Sequence, residues 1–454
     1  PYSSFSSFAG NPLLISMDRV VADGFLESAE IVPSGFADPC RVDFGRVIGW
    51  KLPLLERAAV RFLETANRSL RKQLDDFCEK QSAWLDDYSL FMAIKDRFDA
   101  RASHDGTSGG MWCNSWDRDI AGREPAAVAR WKKDCRRQIQ IRQVMQFWFF
   151  GQWHRLKRYA NERSLRIIGD LPYVVSLDSA DVWSSPQSFL LNDDGSPIVV
   201  AGVPPDYFAT TGQRWGNPLY DWEQMEGDGF QWWIRRIRKT CDLFDLVRLD
   251  HFRGFEACWS IPAGEPTAEH GEWVSVPGRK LFQKMREELG YLPLIAEDLG
   301  LITPEVDALR EDFELPGMRV LQFAFDTREE RSKIYLPHNY DSNSVVYTGT
   351  HDNDTVCGWY DNCNDDEREA VAKYIGHPLI EVEWEFIRLA LASVAGTAIV
   401  PMQDLLGLGS ESRMNIPATS GNNWAWRMPF DYRDSGIAER LAGLTFVYGR
   451  EPGG

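Results

Sequence analysis

No run of eighteen or more apolar residues occurs in this 454-residue chain, so no segment reads as a helix that crosses a bilayer. The first thirty residues hold no charged-then-apolar leader, and neither export nor a membrane partner is expected. Basic residues are in deficit: 50 Lys and Arg against 67 Asp and Glu leave a net charge of −17. Phosphate backbones are bound by basic footprints, so nucleic acid is disfavoured as a partner. The eight cysteines (Cys40, Cys78, Cys113, Cys135, Cys241, Cys258, Cys357 and Cys363) form no Cys-x-x-Cys pair. Reduced thiols in a cytosol-like compartment are the expectation. The seven histidines show neither His-x-x-x-His nor His-Glu-x-x-His spacing, which argues against a catalytic metal. No cofactor is expected.

What the chain has in excess is tryptophan, 18 residues of 454. An indole stacks on flat apolar faces while its N–H donates, which suits sugar rings, although most of these residues are expected in the core. An apolar content of 44% is ample for a large core. The length is compatible with three domains, and equally with one α/β barrel carrying insertions.

Residues 25 to 160 read as mostly helical. Leu55, Ala58, Ala59, Phe62 and Leu63 follow helical spacing, as do Ile141, Val144, Met145, Trp148 and Phe149. From residue 165 short apolar runs alternate with helical or loop segments: Arg166–Asp170, Leu246–Asp250, Pro293–Glu297, Met318–Phe325, Ser344–Thr350 and Thr397–Gln403. Strands alternating with helices imply parallel pairing. Ionisable residues gather at the ends of these runs, which is the catalytic face of an α/β barrel. A Rossmann-type sheet gives the same pattern, but no Gly-x-Gly-x-x-Gly or Walker-type loop follows any run. The expected fold class is therefore α/β, a (β/α)8 TIM barrel with helical and loop insertions. Six strands are two short of the full barrel.

Three carboxylates each end a different run: Asp250, Glu297 and Asp352. Converging strands would bring them to one barrel mouth. Glycosidic chemistry needs such a group, one carboxylate to attack and one acid to protonate the leaving oxygen. Arg248 lies two residues before Asp250, on the same strand face, and is placed to stabilise its charge. The competing reading of any one of them is a solvated loop or a helix cap.

At these residues a resemblance enters. Arg248-Leu249-Asp250-His251-Phe252-Arg253-Gly254, Ala296-Glu297-Asp298-Leu299-Gly300 and Thr350-His351-Asp352-Asn353-Asp354-Thr355 resemble the signature segments of the amylomaltases. These are the 4-α-glucanotransferases, or disproportionating enzymes, a branch of the α-amylase clan. Gly169–Pro172, Asp178–Trp183, Val199–Phe208, Gly212–Tyr220 and Ile399–Gly407 are similar to the same family. The resemblance runs from residue 1 to about 450 and is weakest over roughly 25–125. It implies that Asp250 is the nucleophile, that Glu297 is the acid and then the base, and that Asp352 stabilises the oxocarbenium-like sugar. It further implies that Arg248 orients Asp250, while Asp170 and His351 hold the ring at the cleavage point. A lone structural histidine is the alternative for His351. The segment Val203–Tyr220 reads as a long loop without structure of its own, and such loops are usually functional or disordered. In the family it overhangs the cleft. Trp215 is then expected as a stacking platform, with Asp206 and Gln213 bonding sugar hydroxyls and Tyr207 as a further substrate-binding residue. The competing reading is that Trp215 only packs the loop down.

The family normally begins with an apolar strand, a Leu-Pro-Gly-bearing loop and a second strand leading to a Ser-Pro-Tyr turn. This chain opens at Pro1-Tyr2-Ser3-Ser4-Phe5, which is similar to the middle of that turn. The expectation is that two βα units, on the order of 60 residues, are missing before it. The expected organisation is a connection over 1–24, a mostly helical insertion over 25–125 and a catalytic barrel over 126–454, with a lid-like insertion at about 176–232. The expected activity is transfer of α-1,4-glucan segments between maltooligosaccharide, starch or glycogen chains by a retaining double displacement, with Asp250 and Glu297 about 5–5.5 Å apart. An α-glucan hydrolase of the same clan, or a non-catalytic glucan-binding protein, are the alternatives. The location implied is cytoplasmic, or a plastid if a transit peptide stood upstream.

Overall fold

The computed structural model describes residues 3–32, 38–107, 109–205, 209–328, 330–377, 379–419, 421–428 and 435–451. The chain forms two compact units, Pro1–Ser34 with Ile48–Leu294, and Gly35–Val47 with Ile295–Gly454.

In the first unit three long helices, Phe44–Thr65, Arg68–His104 and Arg136–Asn161, realise the helical periodicity. Asn67 starts the second of them, its side chain accepting the Leu70 N–H at 3.0 Å. Leu55, Ala58, Ala59 and Phe62 pack on Val144, Met145, Trp148 and Phe149 in one buried cluster. Full burial of an aliphatic or aromatic side chain of this kind stabilises by about 1.5–3 kcal/mol. The chain before these helices is tied down by paired bonds: Gln146 donates to the Gly10 carbonyl and accepts its N–H, both at 2.8 Å.

All six apolar runs contain strands. They are β1 (Ile168–Leu171), β4 (Leu246–Leu249), β7 (Leu294–Ala296), β8 (Gly317–Val320), β9 (Ser344–Tyr347) and β10 (Thr397–Ile399), counted among ten described strands. The run Met318–Phe325 is only half strand, since Leu321–Phe325 closes into a 3-10 turn. In the first unit β1 pairs with β4 in parallel, Asp170 opposite Arg248. In the second, β8, β9 and β10 are parallel in the order β10-β9-β8. Among the described residues no strand precedes Ile168, and no helix is long and apolar enough to cross a membrane.

Four strands were not expected: β2 (Val199–Val203), β3 (Gln213–Pro218), β5 (Ala257–Pro262) and β6 (Glu272–Ser275). They form an antiparallel sheet in the order β3-β2-β5-β6. The reading of Val203–Tyr220 as a loop without its own structure is thereby corrected over 213–218. Its glycines, prolines and polar residues hid the strand, whose register is set by its partner instead. Gly202 on β2 permits the approach of β3, because a Cβ there would meet the Gln213 carbonyl oxygen at 2.2 Å.

Candidate functional site

In the first unit the parallel β1–β4 pairing sets Asp170 beside Arg248. The guanidinium reaches both oxygens of Asp170, at 2.8 and 3.0 Å, and Asp250 Oδ1 at 2.8 Å. Arg248 and Asp250 lie on one face because strand side chains alternate. The Asp250 N–H donates to the Leu171 carbonyl at 3.0 Å, which extends the β1–β4 pairing past the end of β4. The Arg248 side chain is 10% exposed while Asp170 and Asp250 are 41% and 27% exposed. The cation is covered and the carboxylates remain open to a ligand.

His251 follows Asp250 in the left-handed region, φ 50°. Such a conformation costs a bulky residue on the order of 1–3 kcal/mol and persists only where the surroundings impose it. The Trp215 ring meets the His251 ring edge-on at 5.0 Å, and Tyr173 lies at 5.9 Å on the same imidazole. Burial, reinforced by Arg253 and opposed by Asp250, lowers the imidazole to about 4, so it is neutral at physiological pH. Trp215 stands on β3, 37% exposed. Its Nε1 donates to Gln213 Oε1 at 3.2 Å, one strand repeat away. Gln213, expected to bind sugar hydroxyls, thus also steadies Trp215. Asp206 and Tyr207 lie outside the described residues.

In the second unit Glu297 follows the last strand residue of β7. Its carboxylate accepts the Leu299 N–H at 3.1 Å. The next residue, Asp298, is buried and accepts the Met318 N–H at 2.6 Å, with Arg310 and Arg319 each 3.4 Å away. Burial raises the Asp298 carboxyl above its ordinary value against the pull of those two arginines. It ties the chain after Glu297 to the start of β8.

His351 and Asp352 lie beyond β9. Asp352 Oδ1 accepts Asn415 Nδ2 at 2.6 Å, and His351 Nε2 is 3.4 Å from Oδ2. Arg413 donates to the Asp352 carbonyl, and the Asn415 N–H donates to the His351 carbonyl at 3.0 Å. The Trp424 ring lies 5.0 Å from His351, on a residue with φ 59°. Thr350 is capped by Asn353, whose Oδ1 accepts its N–H at 2.9 Å and its hydroxyl at 2.8 Å.

The expected residues thus divide between the two units: Asp170, Arg248, Asp250, Gln213 and Trp215 in one, and Glu297, His351 and Asp352 in the other. Residue patterns missed His251, Asp298, Arg413, Asn415 and Trp424. One cue was present: the glycine- and asparagine-rich stretch Gly421-Asn422-Asn423-Trp424 has the composition of a shaped loop. Among the described residues no group of three or more His, Cys, Asp or Glu is placed to hold a metal ion. Carboxyl groups that can attack, donate a proton and accept one are what chemistry at a glycosidic bond uses, through an oxocarbenium-like transition state.

Residues 1–432 match the family described as 4-alpha-glucanotransferase. The 4-alpha-glucanotransferase of Synechocystis is 46% identical over 455 residues, covering 99% of this chain and 88% of that protein. The Thermus thermophilus 4-alpha-glucanotransferase is 48% identical over 436 residues, with 94% and 84% covered. The amylomaltase from Streptococcus agalactiae, solved in complex with acarbose, superposes with a TM-score of 0.92 at 37% identity, covering 99% of this chain and 88% of that one.

Proposed function

The chain belongs to the 4-alpha-glucanotransferase family and is an enzyme of that activity, with the α/β fold of the amylomaltases, and from that premise we propose how its residues perform the reaction. The parallel strands are read as those of a (β/α)8 barrel, in which the carboxyl ends of the strands form the catalytic face, and each of the three carboxylates follows such a strand end. Asp250 attacks the anomeric carbon of an α-1,4-linked glucose. Glu297, protonated at that moment, gives its proton to the glycosidic oxygen as the bond to the anomeric carbon breaks. A β-glucosyl ester on Asp250 remains. The 4-hydroxyl of an acceptor sugar then yields its proton to the Glu297 carboxylate and attacks the same carbon, releasing Asp250. Two inversions leave the α configuration unchanged.

The observation that carries this reading is the Arg248 bridge, 2.8 Å to Asp170 and 2.8 Å to Asp250. It fixes the attacking oxygen and offsets the charge of two carboxylates crowded together. Asp170, His351 and Asp352 hold the hydroxyls of the ring being cleaved. Water at about 55 M competes with millimolar acceptor, so transfer needs a preference of about 10⁴, or roughly 5.5 kcal/mol. Acceptor rings stacked on Trp215 supply part of it, if that binding is realised in the transition state. Asp206 and Tyr207, outside the described residues, are proposed as further substrate contacts.

The test is paired. Asp250→Ala removes essentially all transfer on maltotriose, read as glucose and longer oligomers by chromatography. Glu297→Gln retains turnover of a glucosyl fluoride, whose leaving group needs little acid help. Near-parental transfer by the Asp250 variant contradicts the assignment.

A further inference from the structure

Asp404 follows β10 and is 1% exposed. One of its oxygens accepts the Thr348 hydroxyl at 2.6 Å and the other accepts the Val356 N–H at 2.8 Å. Thr348 directly follows β9, and Val356 opens the helix Val356–Asn362. Between these two anchors runs 349–355, the loop that carries His351 and Asp352. One carboxylate therefore pins both ends of the loop. The middle is braced separately, Gln322 donating to the Asp354 carbonyl at 2.8 Å and Ser410 to the Asp354 carboxylate at 2.6 Å.

We propose that Asp404 is a positioning residue of the transfer reaction, its ionised carboxylate setting where the 349–355 loop presents Asp352 to the sugar. The inference rests on the role given to Asp352 above. Among the described residues the titratable groups facing Asp404 are Asp354, Cys357 and Glu383, with the Cys357 thiol donating to Glu383 at 3.3 Å. Burial, with Glu383 and Asp354 adding like charge, raises the Asp404 carboxyl to about 6. A protonated carboxyl is a weaker acceptor for the two donors, so the loop loosens as the pH falls through that value. The sign separates this from unfolding. A carboxyl whose folded value lies above its unfolded one binds its proton more tightly when folded, so its own contribution to stability rises as the pH falls from about 6 towards 4. Activity is lost there while this group does not destabilise the fold.

The experiment measures kcat and KM on maltotriose from acid to neutral pH, with melting temperature alongside, for the parent and for Asp404→Asn, Thr348→Val, Thr348→Ser and Asp352→Asn. Asp404→Asn is expected to lower kcat about tenfold or more with KM within about twofold, and to lose the ionisation near pH 6 from the acid limb. Thr348→Val is expected to lower kcat several-fold and move that limb to higher pH, with Thr348→Ser restoring both. If Asp404→Asn fails to fold, the Thr348 pair decides. A parental kcat and acid limb in Thr348→Val, with only the melting temperature changed, overturns the proposal. If Asp352→Asn is inactive in that case, the reading of Asp352 survives alone. A fully active Asp352→Asn overturns both.

Discussion

Asp250 and Asp352 both lie just past the end of a parallel strand, and the two units hold them by different physics. Asp250 shares a covered guanidinium with Asp170, 2.8 Å from each. The Asp352 carboxylate is gripped by a neutral donor, the Asn415 amide at 2.6 Å, while Arg413 holds only its backbone carbonyl and the loop is pinned at its ends. A cation offsets charge as well as fixing a position, which suits the nucleophile role proposed for Asp250. An amide fixes position with less bias on charge, which suits a group that follows a sugar as its ring flattens. The contrast also orders the expected damage, because removing a charge from a covered cluster leaves like charges facing each other, while removing an amide leaves one hydrogen bond unmade.

The largest effect should come from Arg248→Ala. With Asp170 and Asp250 left facing each other, kcat/KM on maltotriose is expected to fall by about 10² or more. A loss below tenfold would break the contrast, since the bridge would then be structural decoration. Asn415→Ala comes next. One hydrogen bond to a charged acceptor is worth about 1.5–3 kcal/mol, reduced here by partial exposure, so a fall in kcat of about tenfold is expected with KM little changed. Equal losses in the two variants would show that charge adds nothing beyond placement. Trp215→Ala touches neither carboxylate. It is expected to raise the ratio of hydrolysis to transfer several-fold, read as new reducing ends against glucose released. Equal slowing of both reactions would assign Trp215 to binding alone.

The smallest effect sharpens the comparison by giving the same arginine–carboxylate chemistry exposed cations, Arg57 and Arg61 at 54% and 39% against 10% for Arg248. Glu30 accepts from Arg61 at 2.9 Å and Arg57 at 3.0 Å, and the hydrogen bond from Arg61 leads the causes that lower its carboxyl to about 2. A depressed carboxyl adds stability above its unfolded value, here 4.5, and loses it as the pH falls towards 2. The melting temperatures of the parent and Glu30→Gln should differ slightly at pH 6, by no more than about 2 °C, and converge near pH 2. A large, pH-independent gap would mean that Glu30 acts through packing.

Much of the parallel architecture was legible because each element declares itself locally. Helical spacing at Leu55–Leu63 and Ile141–Phe149 needs only a period, and six apolar runs ending in polar residues need only a strand length. The antiparallel strands β2, β3, β5 and β6 did not declare themselves. Gln213–Pro218 holds Gly216 at φ 81° and a proline at its end, and it is a strand because Val199–Val203 pairs with it. The same division runs through the site. Asp170, Arg248, Asp250, Glu297, His351 and Asp352 sit in strand-end motifs that can be read directly. His251, Asp298, Asn415, Trp424 and Asp404 act through partners far along the chain, as Asn415 does on Asp352 across 63 residues.

The sequence by itself determined the acidic balance, the lack of Cys-x-x-Cys pairs, where the parallel strands fall along the chain and which ionisable side chains stand near their ends, because these follow from residue type and short-range period. Tertiary structure alone decided how those side chains are held. The Arg248 bridge exists because β1 pairs with β4 in the register that sets Asp170 opposite Arg248, and a slip of one residue would turn the arginine to the other face. The pinning of the Asp352 loop exists because β10 delivers a buried carboxylate between Thr348 and Val356. Register and burial are properties of distant segments meeting, and no local pattern encodes them.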